Sequence, residues 1–179
     1  MSYWIGQSFG VLSTVTNISQ PLFRKKWQML VANMAVNVFL LLNLFFLDRI
    51  GSGVFLFLVA IVQSAVNLIH TLRETPPGKW EYALFFCLYV GLGFYGLVTA
   101  PGFVPGINAK NLLELLPILG AIFSMLFSGT RSEQKARIYL LLCSSLWAVY
   151  HGIILSASFF GSFFGVVTCL IALLRNRKQ

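Results

Sequence analysis

The chain has 179 residues, 58% of them hydrophobic and only 10% charged, with a formal net charge of +8. Soluble domains carry about 25% charged residues, so an ordinary soluble globular domain is excluded. The positive balance does not point to nucleic acid either, because the cations sit in short loops beside apolar blocks.

A hydrocarbon core about 30 Å thick needs about 20 apolar residues at 1.5 Å each. Seven such blocks follow one another. The first, Tyr3–Phe23, has no basic residue before it, and Gln7, Ser8 and Ser13 break what would be the apolar region of a signal peptide, so a retained helix is expected. Gly6, Gly10, Ser13, Asn17 and Gln20 share one helical face, Gln20-Pro21 closes the block, and Arg24, Lys25 and Lys26 follow. The second block, Trp27–Leu47, aligns Asn33 with Asn37; the third, Gly53–Leu72, aligns Gln63, Asn67 and His70. The fourth, Glu81–Thr99, is followed by the Pro/Gly-rich stretch APGFVPGINAKN. The fifth, Leu112–Ser128, aligns Glu114, Pro117, Ala121, Ser124 and Ser128. The sixth, Ile138–Ala157, aligns Ser144, Ala148 and His151 with Trp147 beside them, and the seventh, Phe159–Leu174, follows Ser158 with Gly161, Gly165, Thr168 and Ala172. Cys87, Cys143 and Cys169 all fall inside predicted helices without metal-type spacing, which suits packing residues.

Charge placement predicts orientation. Loops one, three and five and the C-terminus hold eleven of the thirteen cations, leaving only Arg49 and Lys110 on the other side. Short positive loops stay cytoplasmic, so the N-terminus is expected in the periplasm or outside and the C-terminus in the cytoplasm, after seven crossings. Arg24, Lys25, Lys26, Arg131, Lys135 and Arg137 are read as topological signals.

The blocks group as three, one and three, each trio having a basic first loop and a nearly uncharged second loop. The expected fold is an all-α polytopic membrane protein, with two parallel three-helix bundles joined by a linker helix. Residues 1–73 form the first bundle, 74–110 the linker helix and its loop, and 111–179 the second bundle with a basic tail.

This layout, with Gln20-Pro21 closing the first helix, resembles the SWEET and PQ-loop transporters, whose motif usually runs Pro-Gln. A closer resemblance is to the bacterial inner-membrane YgjV family. It covers most of the chain and is carried by ELLPILGAIFS, Glu114–Ser124, and SSLWAVYHG, Ser144–Gly152, followed by a final helix of small residues. It implies a fold and an inner-membrane location rather than a substrate.

Polar side chains in hydrocarbon need partners, so the striped faces should point inward. Counted from the basic helix ends, Asn17, Asn33, Asn67 and Thr168 lie about 9 Å deep, while Ser13, Asn37, Gln63 and Trp147 lie near mid-bilayer. Amides and an indole plate at one level suit a neutral polar solute such as a sugar. The expected site is therefore Ser13, Asn17, Asn33, Asn37, Gln63, Asn67 and Trp147, in a protein that binds membrane lipids and a small polar solute. No cofactor, metal, nucleic acid or enzymatic activity is expected. The other reading is a non-transporting scaffold or partner subunit in which the stripes serve packing alone. His70 is expected at the interface, bonding headgroups or a backbone carbonyl. Glu114 and His151 count to one level and either pair, which offers proton coupling, or leave Glu114 capping its helix.

Overall fold

The structure is a computed structural model that describes residues 2–46, 52–99, 105–106, 109–153 and 158–176. Among these residues there are seven α-helices, one 3-10 turn and no strand. The helices are α1 (Ser2–Ser19), α2 (Lys26–Phe46), α3 (Ser52–Leu72), α4 (Lys79–Thr99), α5 (Ala109–Gly129), α6 (Glu133–Ile153) and α7 (Ser158–Asn176); the 3-10 turn is Gln20–Leu22. Helices α2 to α6 have 21 residues each, about 31 Å at 1.5 Å per residue and close to a hydrocarbon core.

Two helices start three or more residues before their hydropathy blocks, and α1 ends at Ser19 rather than Phe23. The sixth helix starts at Glu133 rather than Ile138, and the fifth at Ala109 rather than Leu112. Hydropathy stops at the first polar residue, whereas helical hydrogen bonding does not. Glu133 in the first turn of α6 faces the positive end of the helix dipole and favours the early start. Pro117 lies inside α5 without ending it, and Pro21 occupies the 3-10 turn that ends the α1 segment.

Consecutive helices pack on one another, α3 also packs on α5, and α7 also packs on α1. Helices α1, α2, α3, α5, α6 and α7 therefore close a ring, with α4 against α3 and α5. One buried cluster joins α3, α4 and α5 through Leu56, Val59, Ala60, Phe85, Tyr89, Ala121 and Met125. A second joins α2, α5, α6 and α7 through Met29, Leu30, Phe127, Ala136, Leu140 and Cys169.

The first, third and fifth loops gather at one end of the ring. Arg131 donates from the α5–α6 connection to the carbonyl of Glu74, and Arg137 donates to the carbonyl of Phe23 at 3.0 Å. Glu74 adopts the left-handed conformation, φ 56°, just past α3, and the Thr75 amide bonds back to the His70 carbonyl at 3.0 Å. Trp27 and Trp80 are exposed at this basic end and Tyr3 and Trp4 at the start of α1, the aromatic placement that marks membrane interfaces.

Candidate functional site

Nearest the basic end, the amides bond to one another. Gln20, 1% exposed, donates Nε2 to the Met29 carbonyl at 3.1 Å and to Asn33 Oδ1 at 3.4 Å. Asn33 donates Nδ2 to Ser64 Oγ at 2.8 Å, which ties α2 to α3. Asn37 turns its Nδ2 onto the Asn33 carbonyl of its own helix at 2.7 Å, the backbone contact that short polar side chains make when they lie inside a helix. Ser64 lies one residue off the stripe of Gln63 and so escaped the periodicity; its only sequence signal is a hydroxyl deep in an apolar helix.

Gln63 is fully buried between α3, α4 and α5. It accepts from the Tyr89 hydroxyl at 2.9 Å and donates to the Met125 carbonyl at 3.5 Å. Tyr89 is 1% exposed and belongs to the one helix that shows no polar stripe. Asn67 and Ser13 are buried, and Asn17 is half-buried. Asn17 and Ser144 meet over Gly165, where a Cβ would lie 3.4 Å from Ser144 Oγ and 3.6 Å from Asn17 Nδ2. α1 and α7 thus approach through glycine, as Gly161 does against Thr14. Asn43 closes α2 on α1 by donating to the Gly6 carbonyl at 2.7 Å.

Trp147 reaches from α6 to α3, where its ring stacks on Phe57 with centroids 6.4 Å apart and planes 24° apart. Its other flank lies on Gly120 of α5, where a Cβ would come within 2.8 Å of the indole Nε1. The plate expected to receive a solute is therefore already faced by an aromatic ring. Phe57 carries no periodicity signal of its own.

Two expectations change. His70 bonds side chains rather than a backbone carbonyl: its Nε2 lies 3.0 Å from Glu81 Oε2 and its Nδ1 2.8 Å from Thr75 Oγ1. The short connection between α3 and α4 brings these side chains together. Lys26 and Arg137, read as loop cations, are buried at 6% and 3% exposure. Arg24, Lys25, Arg73, Lys79, Arg131 and Lys135 stay exposed, whereas these two, near the starts of α2 and α6, lie over the ends of other helical segments. The Glu114 carboxylate and His151 ring lie outside the described residues.

The distribution of polarity is inverted relative to a soluble protein. Among the described residues, twelve polar or charged ones, Gln20, Gln63, Ser64 and Ser128 among them, are buried, while Val11, Val15, Phe45, Val62 and Leu174 stand outward at more than half exposure. Hydrocarbon outside and hydrogen bonding inside is the arrangement a bilayer demands. The segments Phe55–Leu72 and Lys79–Thr99 are each long and apolar enough to cross a membrane on length and composition alone. Together these features define an all-α membrane protein. The chain belongs to the Imp-YgjV family, described as bacterial inner membrane protein, which matches residues 4–178. Neither a curated protein nor a solved structure matches.

Proposed function

We propose that the chain crosses the inner membrane seven times, with its C-terminus in the cytoplasm, and moves a small neutral polar solute, such as a sugar, between α1–α3 and α5–α7. The supporting observation is a surplus of hydrogen-bonding capacity inside the ring. The Ser128 hydroxyl is buried in α5 and has no partner among the described residues. Asn37 is buried and spends its amide N–H on its own backbone rather than on a neighbouring helix. Helix packing alone needs no such surplus, since a buried polar group without a partner costs about 1–3 kcal/mol. A solute with several hydroxyls matches amide groups that both donate and accept. The two trios would rock about the level of Asn37 in the manner of SWEET-type parallel repeats.

A second reading, a scaffold or partner subunit, draws on the mutually paired groups. Gln20, Asn33 and Ser64 form one chain of bonds, and Tyr89, Gln63 and the Met125 carbonyl form another. Uptake and efflux of a panel of radiolabelled neutral sugars and polyols in proteoliposomes separates the two. Saturable flux of one solute that falls in Asn37→Leu supports transport; no flux above protein-free liposomes for any of them favours the scaffold.

A further inference from the structure

Two buried cations lie at the basic end, and each reaches the opposite trio. Lys26, the first residue of α2, donates to the Phe127 carbonyl in the last turn of α5, with its Nζ 3.9 Å from the centroid of the Phe127 ring. Arg137, near the start of α6, donates Nε to the Pro21 carbonyl at 3.4 Å and Nη2 to the Phe23 carbonyl at 3.0 Å, in the segment that ends α1. The exchange is reciprocal: the second helix of each trio grips the terminal segment of the other trio's first helix. Between the two grips lie Met29, Leu30, Phe127, Ala136 and Leu140, all buried, so the ring is filled at this level.

The chemistry of the acceptors matters. Carbonyls past or within a last turn have no intrahelical partner and sit at the negative end of the helix dipole, so they hold a cation without an acidic side chain. Among the described residues, the carboxylate paired with Arg137 is that of Glu133, 3.9 Å from its Nη1 on the same helix. A permanent joint gains little from such groups, because burying a charge costs solvation that well-packed apolar residues avoid. A joint that opens does gain. On separation, both cations return to water at the basic end and leave no buried acid behind.

We propose that Lys26 and Arg137 form a reciprocal latch that closes the basic end of a pathway between the trios, and that both grips release together when that end opens. The latch builds on the transport reading. It is tested with the full chain in nanodiscs, with Cys87, Cys143 and Cys169 replaced by alanine and spin labels on the exposed positions Leu22 and Lys135. Pulsed electron–electron distance measurements should show two populations, a short one for the closed end and a longer one for the open end. Lys26→Met and Arg137→Met should each move weight several-fold toward the longer distance, and Lys26→Arg should keep the short one. One narrow distance, unchanged in folded Met variants, overturns the latch. Should the Met variants not fold, the parent chain decides: two populations sustain the latch and one overturns it. The outcome is independent of uptake. A single distance alongside saturable uptake removes the latch alone, and two distances without uptake of any solute remove the transport reading alone.

Discussion

The Tyr89 hydroxyl lies 2.9 Å from Gln63 Oε1, and this bond joins α4 to α3 inside a cluster that is otherwise apolar. Through the Gln63 amide the connection continues to the Met125 carbonyl of α5. One glutamine thus fastens α4 against the two helices it packs on.

Removing one partner of this bond should cost more than removing both. Tyr89→Phe leaves the Gln63 oxygen unpaired and should lower stability by about 1–2 kcal/mol, in the range of interhelical hydrogen bonds in membranes. Gln63→Leu should do similar damage, and the double variant should be less destabilised than the sum of the two. Denaturant unfolding in mixed micelles gives the coupling directly; strict additivity would mean that the bond contributes nothing.

Gly120→Ala should disturb the contact of α5 with α6. The added methyl would lie 2.8 Å from Trp147 Nε1 and 3.1 Å from its Cδ1, and the rigid indole must move off Phe57 to make room. A loss of about 1–3 kcal/mol is expected for overpacking of this kind. Trp147→Ala should relieve the clash, so that Gly120→Ala costs little in that background. An unchanged melting temperature in the single variant would show that the interface yields freely.

His70, Thr75 and Glu81 tie down the connection between α3 and α4, with the Gly78 amide donating to Glu81 Oε2 at 2.8 Å. His70→Ala should leave overall stability nearly unchanged, because the pair is partly exposed and such pairs contribute little. Cleavage in the 73–78 connection by an added protease should nevertheless speed up several-fold, since local opening is controlled by these contacts. Equal cleavage rates in the two proteins would assign the order of this loop to its backbone alone.

Reporter fusions after Leu47 and after Lys178 should report opposite sides of the membrane, the second one cytoplasmic. The bonds from Arg131 to Glu74 and from Arg137 to Phe23 hold the first, third and fifth loops at one end, so cysteine labelling of those loops should show one common side. Reporters on the same side would end the seven-crossing topology.

If Glu114 and His151 couple transport to protons, uptake should vary with pH and Glu114→Gln should flatten that profile. Ionisable groups inside a membrane ordinarily face a partner or a wet cavity. A pH profile of uptake that is identical in the two proteins removes the coupling; helix capping is not the alternative, because α5 starts at Ala109 and has no acidic residue in its first turn.

Composition, block length and charge placement were enough to determine a helical membrane protein with its basic loops together, because the bilayer imposes length on every spanning helix and charge controls which ends stay in water. The same letters marked Asn33, Asn37, Gln63 and Asn67 as inward-facing, and all four are buried. Periodicity, however, ranks faces and does not choose partners. Only the tertiary structure decided that Gln63 bonds Tyr89 rather than another stripe, that Asn37 bonds its own backbone and that Trp147 stacks on Phe57. It also decided that Lys26 and Arg137 leave the solvent. A cation beside an apolar helix looks the same in sequence whether water or a carbonyl accepts its hydrogen bond. The choice depends on which helix end lies within reach, and that is set by packing between residues more than a hundred positions apart.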